Sequence, residues 1–241
     1  VKEVNEDRDP DFRLLSIIDN TFATPFAQRP LSLGADIVVH SLTKNLGGFG
    51  TEVGGAVICP KKFLARLLVY PKDFGAILSS KSAWAILVYG LPTLALRIKR
   101  QQYTADIVSR WLEEQPAVKS VTYPGLESYP QRELALKQLR DFDGDYAPGN
   151  MIYFLLDDAR IDATDFLDYI ASEAYSITLA VSLGHTKTLI EAPGSMTHSS
   201  YGATDGATTG VRLSIGLESP KDIVHDLDTA ITATSRVPQR S

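Results

Sequence analysis

Apolar positions follow two rhythms along the chain. Near the N-terminus, Leu14-Leu-Ser-Ile-Ile18 is a short, nearly continuous apolar run with β-branched residues, the pattern of a strand covered on both faces in a parallel sheet. It ends in Asp19-Asn-Thr21, and a second apolar run, opening at Asp36 or Ile37, ends in His40-Ser41. Between them, the segment after Pro25 predicts a short helix through Leu31 and Leu33 that stops at Gly34. Two buried strands joined by a short crossover predict an α/β sheet with its ligand beyond the strand C-termini. Val53–Ile58 reads as a further strand, and Pro60 suits the first turn of a helix running to about Tyr70.

From Ser82 to about Gln115 the spacing is helical, broken at Gly90-Leu-Pro92, which predicts two helices or one kinked element that connects two domains. Beyond it the rhythm loosens. Ser120–Tyr123 predicts a short strand, then a turn at Pro124-Gly125 and a polar helix from about Gln131. Asp141–Asn150 is a loop, Met151–Leu156 a strong strand, and Asp162–Ala171 an amphipathic helix with Phe166, Leu167 and Ile170 inward. Ser176–Ser182 and Val211–Ile215 predict strands separated by a polar, glycine-rich excursion over Glu191–Gly210. Lys221–Thr232 closes as a helix with Ile223, Leu227 and Ile231 on one face. The looser alternation after about residue 118 predicts a smaller α+β domain.

Composition removes some functions without naming one. With 24 basic and 29 acidic residues the chain carries a formal charge of −5, which gives no electrostatic case for nucleic acid or an anionic membrane. The single cysteine, Cys59, excludes an internal disulfide and a cysteine metal cluster and suits a reducing cytoplasm. No apolar run is long enough to span a bilayer, and a secretory leader pattern is lacking, so a soluble, cytoplasmic protein is expected. The four histidines, His40, His185, His198 and His225, have no metal-ligand spacing and read as structural.

The chemistry gathers at Ile37–Gly55. Lys44 stands just past a strand end, with hydroxyls at Ser41 and Thr43 and glycines at 47, 48, 50, 54 and 55. An ammonium at the exit of a buried strand is costly unless it is used, although most lysines are merely solvated. An imine-forming lysine, phosphate donors and a carboxylate for a ring nitrogen are the needs of pyridoxal phosphate. Ser41 and Thr43 are the phosphate candidates. Asp19, at the neighbouring strand end, is the carboxylate candidate and reads equally as a turn or cap residue. Arg212 lies in an alternating apolar strand, where it reads either as an edge salt bridge or as a fork for a substrate carboxylate. Ser41-Leu-Thr-Lys44 also matches the Ser-x-x-Lys pattern of serine acyl hydrolases, but that serine should open a helix and the companion motifs are absent.

Five ordered stretches carry a resemblance: Asp19–Pro25, Gly34–Lys44, Val181-Ser-Leu-Gly184, Pro193-Gly-Ser-Met-Thr-His198 and Val211–Glu218. They resemble the successive signatures of the Cys/Met-metabolism pyridoxal-phosphate enzymes, which include methionine γ-lyase, cystathionine lyases and γ-synthase, and O-acylhomoserine sulfhydrylases. The resemblance implies an aspartate-aminotransferase-like fold (fold type I). It places the C-terminal part of the large cofactor domain in residues 1–100 and the small domain in residues 101–241. It implies that Lys44 bonds the cofactor and later shuttles protons, Asp19 pairs with the pyridine nitrogen, Ser41 and Thr43 hold the phosphate, and Ser182 with Arg212 holds the α-carboxylate of an amino-acid substrate. A homo-oligomer, a dimer of dimers, is the implied assembly. The family carries a long segment ahead of Asp19, so this chain looks like the C-terminal part of such an enzyme. Asn45 replaces an aromatic common after the lysine, and the loop from Ser199 to Gly210 is shorter than usual. Val181, where relatives acting on cystathionine often have glutamate, favours a thioether or acylated tail. The implied reaction is γ-elimination or γ-replacement, methionine γ-lyase-like first and O-acetylhomoserine sulfhydrylase-like close behind. Cystathionine β/γ-lyase chemistry and a non-catalytic subunit are the alternatives.

Overall fold

The computed structural model describes residues 1–9, 12–196 and 209–236. The expectations for His198 and for the Ser199–Gly210 loop length fall wholly or mostly outside those residues.

After a short helix α1 (Lys2–Asn5), the first layer is a three-stranded sheet of order β1-β2-β3, formed by Ile17–Asp19, Ile37–Ser41 and Gly55–Ile58. β1 runs parallel to β2, with Ile17 opposite Ile37. That register is pinned by Asp36, whose carboxylate accepts both the backbone N–H and the hydroxyl of Ser16 at 2.9 Å. The crossover is α2 (Thr24–Ala27) and a tight turn of helix over Pro30–Leu33 that stops at Gly34, as predicted. β3 returns antiparallel to β2, with Ser41 opposite Gly55. The sheet expected to be mostly parallel is therefore mixed. Burial also differs from expectation. β2 is largely covered, whereas Ile17, Ile18, Val57 and Ile58 of the flanking strands are exposed.

Helix α3 (Lys61–Phe74) follows Pro60 and runs past Pro71 to end at Gly75, slightly beyond the predicted stop. The long helical stretch keeps helical φ/ψ up to and through the expected interruption at Gly90-Leu-Pro92, its turns widening just ahead of it rather than breaking. It comprises α4 (Ser80–Ala85), a wide turn over Ile86–Gly90, and α5 (Leu91–Glu113), whose Pro92 sits in the first turn. Leu94 and Ile98 of α5 pack with Phe26, Ala27 and Leu46, while Ala105, Val108 and Leu112 enter the larger C-terminal core.

That core is built on a five-stranded sheet of order β4-β5-β8-β7-β6, formed by Val118–Thr122, Met151–Leu156, Gly210–Ser214, Thr188–Glu191 and Ile177–Leu179. α6 (Arg132–Gln138) lies between β4 and β5, and α8 (Pro193–Met196) follows β7. α7 (Ala163–Glu173) and α9 (Pro220–Thr234) pack on each other, and α5 packs on β4, β5 and α9. Phe166, Leu167 and Ile170 of α7, with Ile223, Leu227 and Ile231 of α9, face the core as the spacing required. Two corrections concern the site. The Ser176–Ser182 strand shrinks to Ile177–Leu179, so Ser182 lies on the following loop. Thr188–Glu191, wholly buried, is a strand that the sequence reading passed over, since two apolar residues between Thr188 and Glu191 give no periodicity.

Candidate active site

The site lies where the two sheets meet. β1 delivers Asp19 at its C-terminal end, and β2 delivers Ser41 beside it. Beyond β2 the chain makes a wide turn, Leu42–Leu46, in which Lys44 has non-helical φ −91° and ψ −137°. Asp19, Thr21, Phe22, Ser41, Lys44 and Leu183 line a cleft of about 490 Å³.

Asp19 accepts the Thr21 backbone N–H at 2.9 Å. Hydrogen bonds from Thr21, and to a lesser degree the nearby His40, hold its carboxyl below the usual aspartate range. The Thr21 hydroxyl in turn accepts the Ser41 N–H at 2.8 Å, locking the two strand ends together. Lys44 Nζ donates to Ser182 Oγ at 2.9 Å. Burial, then the charge of Arg212, push the Lys44 ammonium toward losing its proton, and Glu191 opposes them. Arg212 donates to the Ser182 carbonyl at 2.9 Å and pairs with the buried Glu191 at 2.8 Å. The salt bridge considered for a sheet edge thus exists, but on β8, in the interior of the sheet.

Five of the six sequence candidates form one constellation: Asp19, Ser41 and Lys44 line the cleft, and Ser182 and Arg212 join it through the Lys44 hydrogen bond. The Thr43 hydroxyl instead bonds the Gly54 backbone, accepting its N–H at 3.1 Å. Amine, ionised carboxylate and hydroxyl in one cleft of this volume are the donor set pyridoxal phosphate requires, so the described residues fit that group.

Sequence reasoning missed several supports. Arg97, buried on α5, donates to the Asn45 carbonyl at 2.9 Å and the Gly90 carbonyl at 2.8 Å, joining the two wide turns. Burial lowers its pKa to about 10. Asn45 is fully buried; its amide reaches the Thr21 and Phe22 carbonyls at 3.5 Å, and its oxygen accepts from Asn150 at 3.3 Å. Gly184, at φ +73°, lets the Ser182 loop meet this turn: a Cβ there would lie 2.5 Å from Asn45 N. Phe22 stands between the cleft and a second cavity of about 350 Å³ that reaches Tyr153 and Arg212. Its position three residues after Asp19 was the available signal.

Comparison with known proteins finds a family and relatives for the chain. The family described as Cys/Met metabolism PLP-dependent enzyme matches residues 5–232. An L-methionine gamma-lyase of Fusobacterium nucleatum subsp. polymorphum is 42% identical over 227 residues, covering 90% of this chain and 54% of that protein. A cystathionine beta-lyase of Coxiella burnetii (strain RSA 493 / Nine Mile phase I) is 42% identical over 228 residues, covering 90% and 55%. The crystal structure of cystathionine gamma-lyase from Lactobacillus plantarum complexed with L-serine superposes with a TM-score of 0.80 at 35% identity, covering 92% of this chain and 57% of that one. The chain spans about half the length of the relatives it matches.

Proposed function

The chain belongs to the Cys/Met metabolism PLP-dependent enzyme family, and from that premise we propose that it forms the lysine-bearing part of a carbon–sulfur lyase or alkyl transferase acting on a sulfur-containing or O-acylated homoserine-type amino acid. The observation that carries the proposal is the Lys44 amine, its proton loosened by burial, in one cleft with Asp19 and Ser41. When bound, pyridoxal phosphate supplies an electron sink for the negative charge that develops on the substrate α-carbon.

The chain's own residues supply the rest. Lys44 is the residue that would hold the cofactor covalently, and its Nζ, once free, would accept and return protons at the substrate. Asp19, held ionised by Thr21, would pair with the cofactor ring nitrogen and favour its protonated form. Ser41 would offer its hydroxyl to the phosphate, with Thr43, whose hydroxyl is held on the Gly54 backbone, as the second candidate donor. Arg212, oriented by Glu191, clamps the substrate α-carboxylate together with Ser182, fixing the α-carbon near Lys44. Val181 is 52% exposed and carries no charge, which favours a thioether or acylated tail over a distal ammonium. Methionine γ-lyase-like elimination is the first reading.

The fold supports a boundary near residue 100, where α5 passes from the smaller to the larger apolar cluster. Homo-oligomeric assembly in a reducing cytoplasm completes the reading. Exposed apolar side chains on α3 and β3 support the assembly, and the unpaired Cys59 suits the compartment. No helix among the described residues is long and apolar enough to cross a membrane.

Borohydride reduction of the full-length protein, followed by peptide mapping, tests the cofactor assignment. The cofactor is expected on Lys44, and Lys44→Ala should lose all turnover. A label on another lysine, or no cofactor on the intact protein, overturns the reading. Turnover of methionine, of O-acetylhomoserine with sulfide, and of cystathionine then separates the reactions.

A further inference from the structure

We propose that His185 is a positioning residue for Lys44: its Nε2 accepts a hydrogen bond from the Ser182 hydroxyl and so keeps the Ser182 lone pairs turned toward the Lys44 amine. The proposal rests on the reading of Lys44 as the cofactor-bearing amine and extends the machinery by a residue that the sequence analysis set aside as structural.

The geometry leaves Ser182 one arrangement that satisfies both neighbours. A lysine ammonium can only donate, so at 2.9 Å the Ser182 oxygen must accept from it. The hydroxyl's own proton then needs an acceptor, and His185 Nε2 lies 3.3 Å away. That hydrogen bond requires a neutral ring with its proton on Nδ1. Burial and the charge of Lys44 both push His185 below the usual histidine range, which favours the neutral ring that this hydrogen bond needs.

The ring is held from several sides. Gly50, at φ +70°, brings bare backbone against it, and a Cβ there would lie 2.6 Å from His185 Cε1. From α5 the neutral Gln101 donates to the His185 carbonyl at 2.8 Å, and the Thr186 N–H bonds Gly48 at 2.9 Å. Of the charged groups in this layer, Lys44 opposes protonation of the ring. Arg97 is turned onto the Asn45 and Gly90 carbonyls, and Arg212 is paired with Glu191. A protonated His185 would offer a proton where it now offers a lone pair, and Ser182 would lose the acceptor that fixes its hydroxyl. Protonation of His185 and of Lys44 therefore oppose each other through Ser182 as well as through space.

The test follows the rate of reductive methylation of Lys44, read by mass spectrometry across pH, on the full-length protein freed of cofactor. In His185→Leu the ammonium loses support, and Lys44 should react about threefold faster at a fixed mildly alkaline pH, equivalent to half a pKa unit. His185→Gln presents an amide oxygen to the same hydroxyl and should keep the wild-type rate there, while losing the inflection that His185 gives the wild-type profile below its usual range. Ser182→Ala should abolish the difference between wild type and His185→Leu. Equal rates for the Leu and Gln variants, or a His185→Leu effect that persists without Ser182, overturn the proposal. Borohydride labelling away from Lys44 would overturn the cofactor assignment and leave this coupling standing, so the two failures are distinguishable.

Discussion

Helices α3 and α7 are both amphipathic, and they meet opposite fates. α7 buries Ala163, Phe166, Leu167 and Ile170 against the C-terminal core, and its N-terminus is capped by the Asp162 side chain. α3 has no buried residue and no side-chain cap, and its Leu64, Leu68 and Phe74 face outward. The sheets repeat the contrast: β5 alternates between buried and half-buried positions, whereas every residue of β1 is exposed. An apolar stripe states that a face needs a cover, and only the C-terminal half of the described chain supplies one. The site straddles that difference. Ser182 and Arg212 are fixed on the covered half, while Asp19 and Ser41 stand on the thinner sheet.

The sharpest way to break this contrast is to damage the covered half. Phe154 is fully buried on β5 and meets Phe166 of α7 edge-on, with ring centroids 6.4 Å apart. Phe154→Ala should cost about 3–5 kcal/mol through lost transfer energy and the cavity left behind, read from urea unfolding of the full-length protein. A cost under about 1 kcal/mol would mean that the core relaxes freely, and the claim that this half is internally packed would fail.

Legibility in the sequence follows the same line. α7, α9 and β5 could be read because each buries its own periodic face within the described chain, so local pattern and tertiary outcome agree. β1 was read as covered on both faces because an apolar run reports what a strand needs, which here it does not receive. Lys44, Asp19 and Arg212 were legible as candidates because their residue types and order match the needs of the proposed chemistry. Arg97, Asn45 and His185 were not, because each acts through a contact made across the fold: Arg97 reaches the Asn45 carbonyl 52 residues earlier, and Asn150 reaches Asn45 across 105 residues. No local pattern announces such pairs. The Ser182 loop was misread as strand because its small and apolar residues satisfy a strand pattern, while the Ser182 N–H turns back onto the Ala180 carbonyl at 2.9 Å.

A smaller effect sharpens the comparison at the helix ends. The Asp162 carboxylate accepts the Thr164 N–H at 2.8 Å and the Asp165 N–H at 3.4 Å, and these bonds hold its pKa below the usual value. A depressed folded-state pKa means that the stabilisation is complete above the unfolded value, about 3.9, and is lost as pH falls through the lower folded one. Asp162→Ala should therefore cost about 1 kcal/mol near neutral pH, with the difference from wild type vanishing in strong acid. A pH-independent cost would assign the effect to helix propensity rather than to the ionised cap.

The smallest expected change in stability tests the open half directly. Phe74, at the C-terminal end of α3, is 78% exposed and stacks on Tyr70 with centroids 6.3 Å apart. Phe74→Ser removes a large apolar group that the described chain does not bury, so the unfolding free energy should move by less than about 0.5 kcal/mol. What should move is association. An uncovered apolar helix face favours contact with other molecules, and the variant should show weaker self-association in sedimentation velocity at matched concentration. A loss of several kcal/mol on Phe74→Ser, comparable to that of Phe154→Ala, would show that α3 is covered in the full-length protein. The two halves would then differ only in which part of that protein supplies the cover, and the contrast between α3 and α7 would lose its meaning.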